Sequence, residues 1–149
     1  MDFYYGSGAH TLWTMIEEIN DISLSTVEER KEFLKSQNIA ITDMIETCIR
    51  RNHTFLDKDI IQKSIDYKDT KKLLKENTQI DTLIYTSEFV VTLMSDYLHI
   101  KQEERNSLKI DGKTYNIIIL TSPSPMAIKD KGENAEKERL EAYTAIFKK

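Results

Sequence analysis

Cysteine is nearly absent from this chain of 149 residues, where Cys48 stands alone. That excludes an internal disulfide and a cysteine-rich zinc centre. Histidine is scarce too, and His10, His53 and His99 are scattered without metal-ligand spacing. No metal and no cofactor is expected. Long apolar runs are missing: nothing approaches the roughly 18 consecutive apolar residues of a membrane span, and Met1 to His10 lacks the basic flank and apolar stretch of a secretory signal. A soluble monomer of the reducing cytoplasm is the expectation, with no membrane partner. Excess positive charge is also lacking. The formal net charge of -4 argues against holding nucleic acid by bulk electrostatics, because phosphate contacts draw on Lys and Arg. Proline is rarest of all in its placement: both prolines of the chain fall in Ser122-Pro123-Ser124-Pro125, directly after the β-prone run Asn116 to Leu120.

The charge that is present is uneven. Met1 to Cys48 carries nine acids and three bases, whereas Ile49 to Ile65 carries Arg50, Arg51, Lys58 and Lys63 against Asp57 and Asp59. A polyanion would have to meet that local basic surface. Arg50-Arg51 reads either as a solvated face or as a phosphate clamp.

A length of 149 residues with 40% hydrophobic composition suits one core, so a single domain over 1–149 is expected. Leu12, Met15, Ile16 and Ile19 recur at helical spacing and predict a helix from about Thr11 to Ile19. Ser25 and Glu28 have the spacing of a capping box for a second helix that runs to about Ser36. Ile39 to Thr42 and Ile80 to Tyr85 are β-prone runs, with a short helix between them over Lys68 to Lys75. Phe89, Val90, Leu93, Met94 and Tyr97 form an amphipathic stripe that Ser87 can cap. Asp111-Gly112 is a strong hairpin signal inside Leu108 to Leu120, placing the long strand at Tyr115 to Leu120. A charged helix, about Glu136 to Phe147, closes the chain.

Strands alternating with helices predict a mainly parallel sheet covered on both faces, with ligands beyond the carboxyl ends of its strands. Asp43, Thr86, Ser87 and Ser122 to Pro125 occupy those ends and become the candidate site residues. Proline fixes φ and biases the residue before it towards extended backbone, so the two Ser-Pro pairs predict a stiff ledge.

The segment Asn38 to Arg51, followed by Leu56-Asp57-Lys58-Asp59-Ile60, resembles the second-strand region of the uracil-DNA glycosylase superfamily, nearest its DNA-deoxyinosine (hypoxanthine) branch. Tyr4-Tyr5 through Trp13, Leu83-Ile84-Tyr85-Thr86-Ser87 and Ser122-Pro123-Ser124-Pro125 match in the same order. The resemblance implies an α/β fold, a three-layer α/β/α sandwich. It further implies a DNA repair enzyme that flips a deaminated base, uracil or hypoxanthine, out of its DNA partner and hydrolyses the N-glycosidic bond without a metal. Residue by residue, it implies catalytic roles for His10 and Asp43, base contacts for Phe3, Tyr4, Tyr5 and Ser87, and DNA contacts for Ser122, Pro123, Ser124, Pro125 and Met126. His10 stands where that branch carries an asparagine, and the superfamily's opening strand with its Gly/Pro loop has no counterpart before Met1, so an amino-terminally truncated member is expected.

Plainer readings stand beside these. Trp13 with Leu12, Met15 and Ile16 reads as core, His10 as a surface histidine, Asp43 as a helix N-cap for Met44 onwards, and Ser122 to Pro125 as a structural loop. The alternative function is a catalytically inactive DNA- or nucleotide-binding module of the same fold, and a third is a small domain serving a nucleoside or sugar phosphate.

Overall fold

The computed structural model describes residues 3–6, 12–54 and 56–148, with His53 described in its backbone only. The predicted helix start at Thr11 lies outside the described residues. The chain divides into two compact units, one holding the residues up to Thr42 together with those from Leu120 onward, the other Asp43–Ile119.

The first unit is helical. Helix α1 (Leu12–Asn20) buries Leu12, Trp13, Met15 and Ile16, the apolar face that its sequence spacing dictates. It packs on α5 (Ala135–Phe147), which buries Tyr143 and Phe147. Asn20 ties the two ends, its Nδ2 donating to the carbonyls of Ile16 at 3.0 Å and Phe147 at 2.9 Å. Helix α2 (Val27–Ser36) starts with a capping box one residue later than the predicted one: Thr26 Oγ1 accepts from the Glu29 amide, and the Glu29 carboxylate accepts from the Thr26 amide. Thr26 has extended backbone, which turns its hydroxyl onto the first turn.

The predicted strand at Ile39 to Thr42 does not form. Asn38 adopts a φ of 55° and the Ile39 amide donates to the Leu34 carbonyl at 3.0 Å, so Ile39 closes α2 in a left-handed helix stop. The amide that a strand would use is thereby committed to the helix end.

The second unit holds two sheets. Strands β1 (Ile45–Thr47) and β2 (Asp66–Tyr67) pair antiparallel, Ile45 opposite Tyr67. Helix α3 (Thr70–Glu76) follows, capped by Asp69, whose carboxylate accepts from the Lys72 amide at 3.0 Å. The larger sheet has the order β3-β5-β4. Strand β3 (Thr82–Tyr85) pairs parallel with β5 (Lys113–Ile119), and β4 (Ser107–Ile110) pairs antiparallel with β5 across the Asp111-Gly112 turn. Both turn residues have positive φ, 47° and 86°, as a two-residue hairpin requires. Against the expected mainly parallel sheet of a three-layer sandwich, the described residues thus form a mixed sheet with one parallel and one antiparallel pairing.

Alternation along the hairpin turns Leu108, Ile110, Tyr115 and Ile117 inward, where Leu93 and Met94 of α4 (Glu88–Leu98), Leu74 of α3 and Met44 complete the core. Tyr85 is buried in that core at 2% exposure, and burial pushes its phenol up to about 12.

Candidate functional site

The residues singled out in the sequence are divided between the two units. Phe3, Tyr4, Tyr5 and Ser122 to Met126 belong to the first, Asp43 and Ser87 to the second, and His10 lies outside the described residues. The aromatics are engaged in packing: the Phe3 ring centroid lies 5.7 Å from that of Trp13, and Trp13 Nε1 donates to the Tyr4 carbonyl at 2.7 Å. Asp43 is exposed and leads into β1, so no helix follows for it to cap. Ser87 holds the N-cap position of α4 without a side-chain bond to the helix; its carbonyl accepts from Val90.

The Ser-Pro segment is fastened from within its own unit. Arg139, 5% exposed, points Nη1 at three consecutive carbonyls, those of Ser122 at 3.2 Å, Pro123 at 3.3 Å and Ser124 at 3.0 Å. Tyr143 adds a bond from its hydroxyl to the Thr121 carbonyl at 2.9 Å. Extended backbone fixed by the prolines keeps those carbonyls presentable to one guanidinium. Pro123 is buried, while Ser124, Pro125 and Met126 are exposed.

The second unit carries a different feature. An open groove of about 580 Å³ lies beside the carboxyl end of α4, lined by Gln62, Lys63, Tyr67, Ser95, Asp96, His99 and Ile100. Helix α4 ends because His99 adopts φ 55°, with the His99 and Ile100 amides donating back to the Asp96 and Ser95 carbonyls at 3.2 and 3.0 Å. That stop projects His99 beside the groove. Tyr67 is set opposite by its place in β2, its ring 5.7 Å from that of Tyr97. The Tyr97 hydroxyl is fixed in turn, donating to Asp69 at 3.0 Å and accepting from the Lys71 amide at 3.0 Å. Gln62 donates its side-chain amide to the Asp96 carboxylate. Loss of water first, and the Asp96 charge second, hold the Tyr67 phenol above its ordinary value.

The chain leading into this groove is basic. Between β1 and β2 the backbone makes an excursion closed by an antiparallel bridge between Arg50 and Ile60 and a bond from the Ile61 amide to the Ile49 carbonyl at 2.9 Å. Arg50, Arg51, Lys58 and Lys63 are all exposed on it, and Ile49 and Leu56 stand out at 62% and 50% exposure. On α3, Lys71, Lys72 and Lys75 extend the exposed positive charge. Lys71 is the partner of Asp111 at 3.8 Å, and Lys68 that of Glu46 at 4.0 Å. The basic count over Ile49 to Ile65 was a legible signal for this surface. Tyr67, Asp96 and His99 carried none, since they converge only through the β2 pairing and the stop of α4. Arg139 was equally hidden in a charged helix.

Three similar proteins place these features in context. The chain is 27% identical over 108 residues to a mitochondrial 15S rRNA processing factor, CCM1, of Candida dubliniensis, covering 72% of this chain and 14% of that protein. It is 33% identical over 89 residues to the CCM1 of Candida albicans strain SC5314, covering 60% of this chain and 12% of the relative, and equally so to that of strain WO-1, there covering 11% of the relative. The chain thus spans only about one eighth of the length of these curated relatives. No family model matches the chain. No solved structure matches it either.

These findings correct the expectations built on the glycosylase resemblance. The relatives are named for rRNA processing, which overturns the superfamily assignment, the base-excising activity, the DNA-repair enzyme class and the deaminated-DNA partner. The inactive DNA-binding alternative gains no support from them, and their mitochondrial names overturn the cytoplasmic placement. The matched motifs are short, and their residues answer to local needs of the fold: the Ser-Pro pairs to Arg139, Ile39 to the end of α2, and Tyr4 to Trp13.

Proposed function

We propose that this chain is an RNA-contacting part of a mitochondrial rRNA-processing factor. The similarity to the 15S rRNA processing factors over 72% of the chain carries this reading. The exposed bases Arg50, Arg51, Lys58 and Lys63 supply the local positive surface that an acidic chain needs in order to meet a polyanion. Single strands and loops of RNA suit a surface where the half-buried Tyr67 and the exposed Ile49 and Leu56 accompany such charge.

The test is binding of labelled single-stranded RNA against duplex DNA of equal length, titrated with salt. Neutralising about four phosphates on a single strand gives a log-log slope near -3, so affinity falls on the order of fifty-fold between 50 and 200 mM salt. RNA held more tightly than duplex DNA with a slope of about that size is the expected result. No RNA binding, or equal binding of duplex DNA, overturns the reading.

A further inference from the structure

The groove beside α4 is ill suited to a phosphate. The carboxyl end of a helix carries about half a negative charge, and Asp96 adds a full one. A nucleic acid can still use such a place by presenting hydrogen-bond donors instead of phosphate oxygens. Among the bases, guanine alone offers two adjacent donors, N1–H and the N2 amino group, on its Watson–Crick edge. Adenine and cytosine bring one exocyclic amino group flanked by a ring acceptor, and uracil brings one N–H between two carbonyl oxygens that a carboxylate would repel. A carboxylate has about four acceptor positions, and the Gln62 amide occupies one of those on Asp96. Lys63 lines the same groove as a donor for the O6 and N7 edge, and the rings of Tyr67 and His99 offer faces for stacking.

Resting on the RNA reading above, we propose that this groove holds one unpaired guanine of an RNA strand. Its N1–H and N2 amino group donate to Asp96, its O6 and N7 edge meets Lys63, and its ring lies against Tyr67 and His99. The basic excursion from Arg50 to Lys58 then receives the phosphates of the neighbouring nucleotides, so the two surfaces divide the work: Asp96 and Lys63 read the base, and Arg50, Arg51 and Lys58 hold the strand.

The experiment uses the full chain and four single-stranded RNA 12-mers read by fluorescence anisotropy: all uridine, and the same tract with a central guanosine, inosine or adenosine. The guanosine 12-mer is expected to bind on the order of tenfold tighter than all-uridine RNA, with inosine, which lacks the N2 amino group, in between. Asp96→Asn removes the preference, and an unchanged circular dichroism spectrum reports that the exposed substitution has not unfolded the chain. His99→Asn, which keeps a residue tolerant of positive φ while deleting the ring, weakens the guanosine 12-mer several-fold. Binding of every RNA without a guanosine preference overturns the groove assignment and leaves the RNA reading standing. So does a preference that survives Asp96→Asn. Failure to bind any of the four overturns both.

Discussion

Replacing Arg139 by Met tests whether the Ser-Pro segment is held by the buried guanidinium. Met keeps most of the apolar stem and removes the charge and the donors. Three carbonyls lie 3.0 to 3.3 Å from Nη1, but that nitrogen has only two hydrogens, so the geometry is worth two charge-assisted bonds with the third shared. At about 1.5 kcal/mol or more for each bond to a charged group, the loss is about 3 kcal/mol. Two features trim it: Ser124 is exposed, so its carbonyl can turn to water, and the substitution relieves a buried Nε that has no partner among the described residues. The ion pair with Glu136 adds little, because at 3.8 Å its carboxylate stands 75% exposed. A net loss of about 2 to 3 kcal/mol follows, equal to a drop in transition temperature of roughly 5 to 10 °C for a chain of this size. Trp13, the sole tryptophan, lies in the same unit as Arg139, so its fluorescence during thermal or urea unfolding reports the right region. Arg139→Lys, which retains charge but not the planar fork, should fall between wild type and Met. A Met variant within 0.5 kcal/mol of wild type, on the scale of an ordinary surface substitution, would refute the clamp (roughly, by the usual spread).

Tyr85→Phe removes a buried hydroxyl that has no partner among the described residues, so urea unfolding should show it unchanged or stabilised by about 1 kcal/mol; a loss of more than that would reveal a bond to the phenol. Gly112→Ala places a Cβ at φ 86°, where there is room but the backbone is strained, and the hairpin should lose about 1 kcal/mol, read as faster amide exchange across β4 and β5. The Lys72 amide first, and the Tyr97 hydroxyl second, hold the Asp69 carboxyl below its ordinary range. The folded chain therefore binds fewer protons there than the unfolded one, and this contribution is complete above the usual Asp pKa and disappears as pH falls through the folded value. Asp69→Asn should flatten that part of the acid limb of a stability-pH curve, and an unchanged limb would assign it to other carboxylates. Thr26→Ala, which opens the capping box, should cost about 1 kcal/mol in the Trp13-reported transition.

Much of the secondary structure was legible because local signals and tertiary burial agree. The stripe of Leu12, Met15 and Ile16 is buried as its period requires, and Asp111-Gly112 makes the turn its chemistry allows. Structure departs from sequence expectation where two local signals compete over the same few residues. Ser25 and Thr26 can both cap, and backbone conformation chose Thr26. Ile39 to Thr42 has strand composition, yet Asn38 can adopt positive φ and thereby ends α2, which takes Ile39 out of contention for a sheet.

The candidate site was legible only in its charge, and the reason is geometric. Positive residues at 50, 51, 58 and 63 can be counted along the chain, because electrostatic attraction depends on their local excess rather than on fine placement. A base-sized groove depends on residues from separate segments meeting at one place. Gln62 and Lys63 come from a one-turn helix, Tyr67 from a two-residue strand, and Asp96 and His99 from the end of a later helix. None of these is unusual in its own segment. Polar residues at strand ends are conspicuous in the sequence, whereas the groove proposed for guanine lies at a helix end, whose negative pole disfavours phosphate and leaves base donors as the part of a nucleic acid suited to enter.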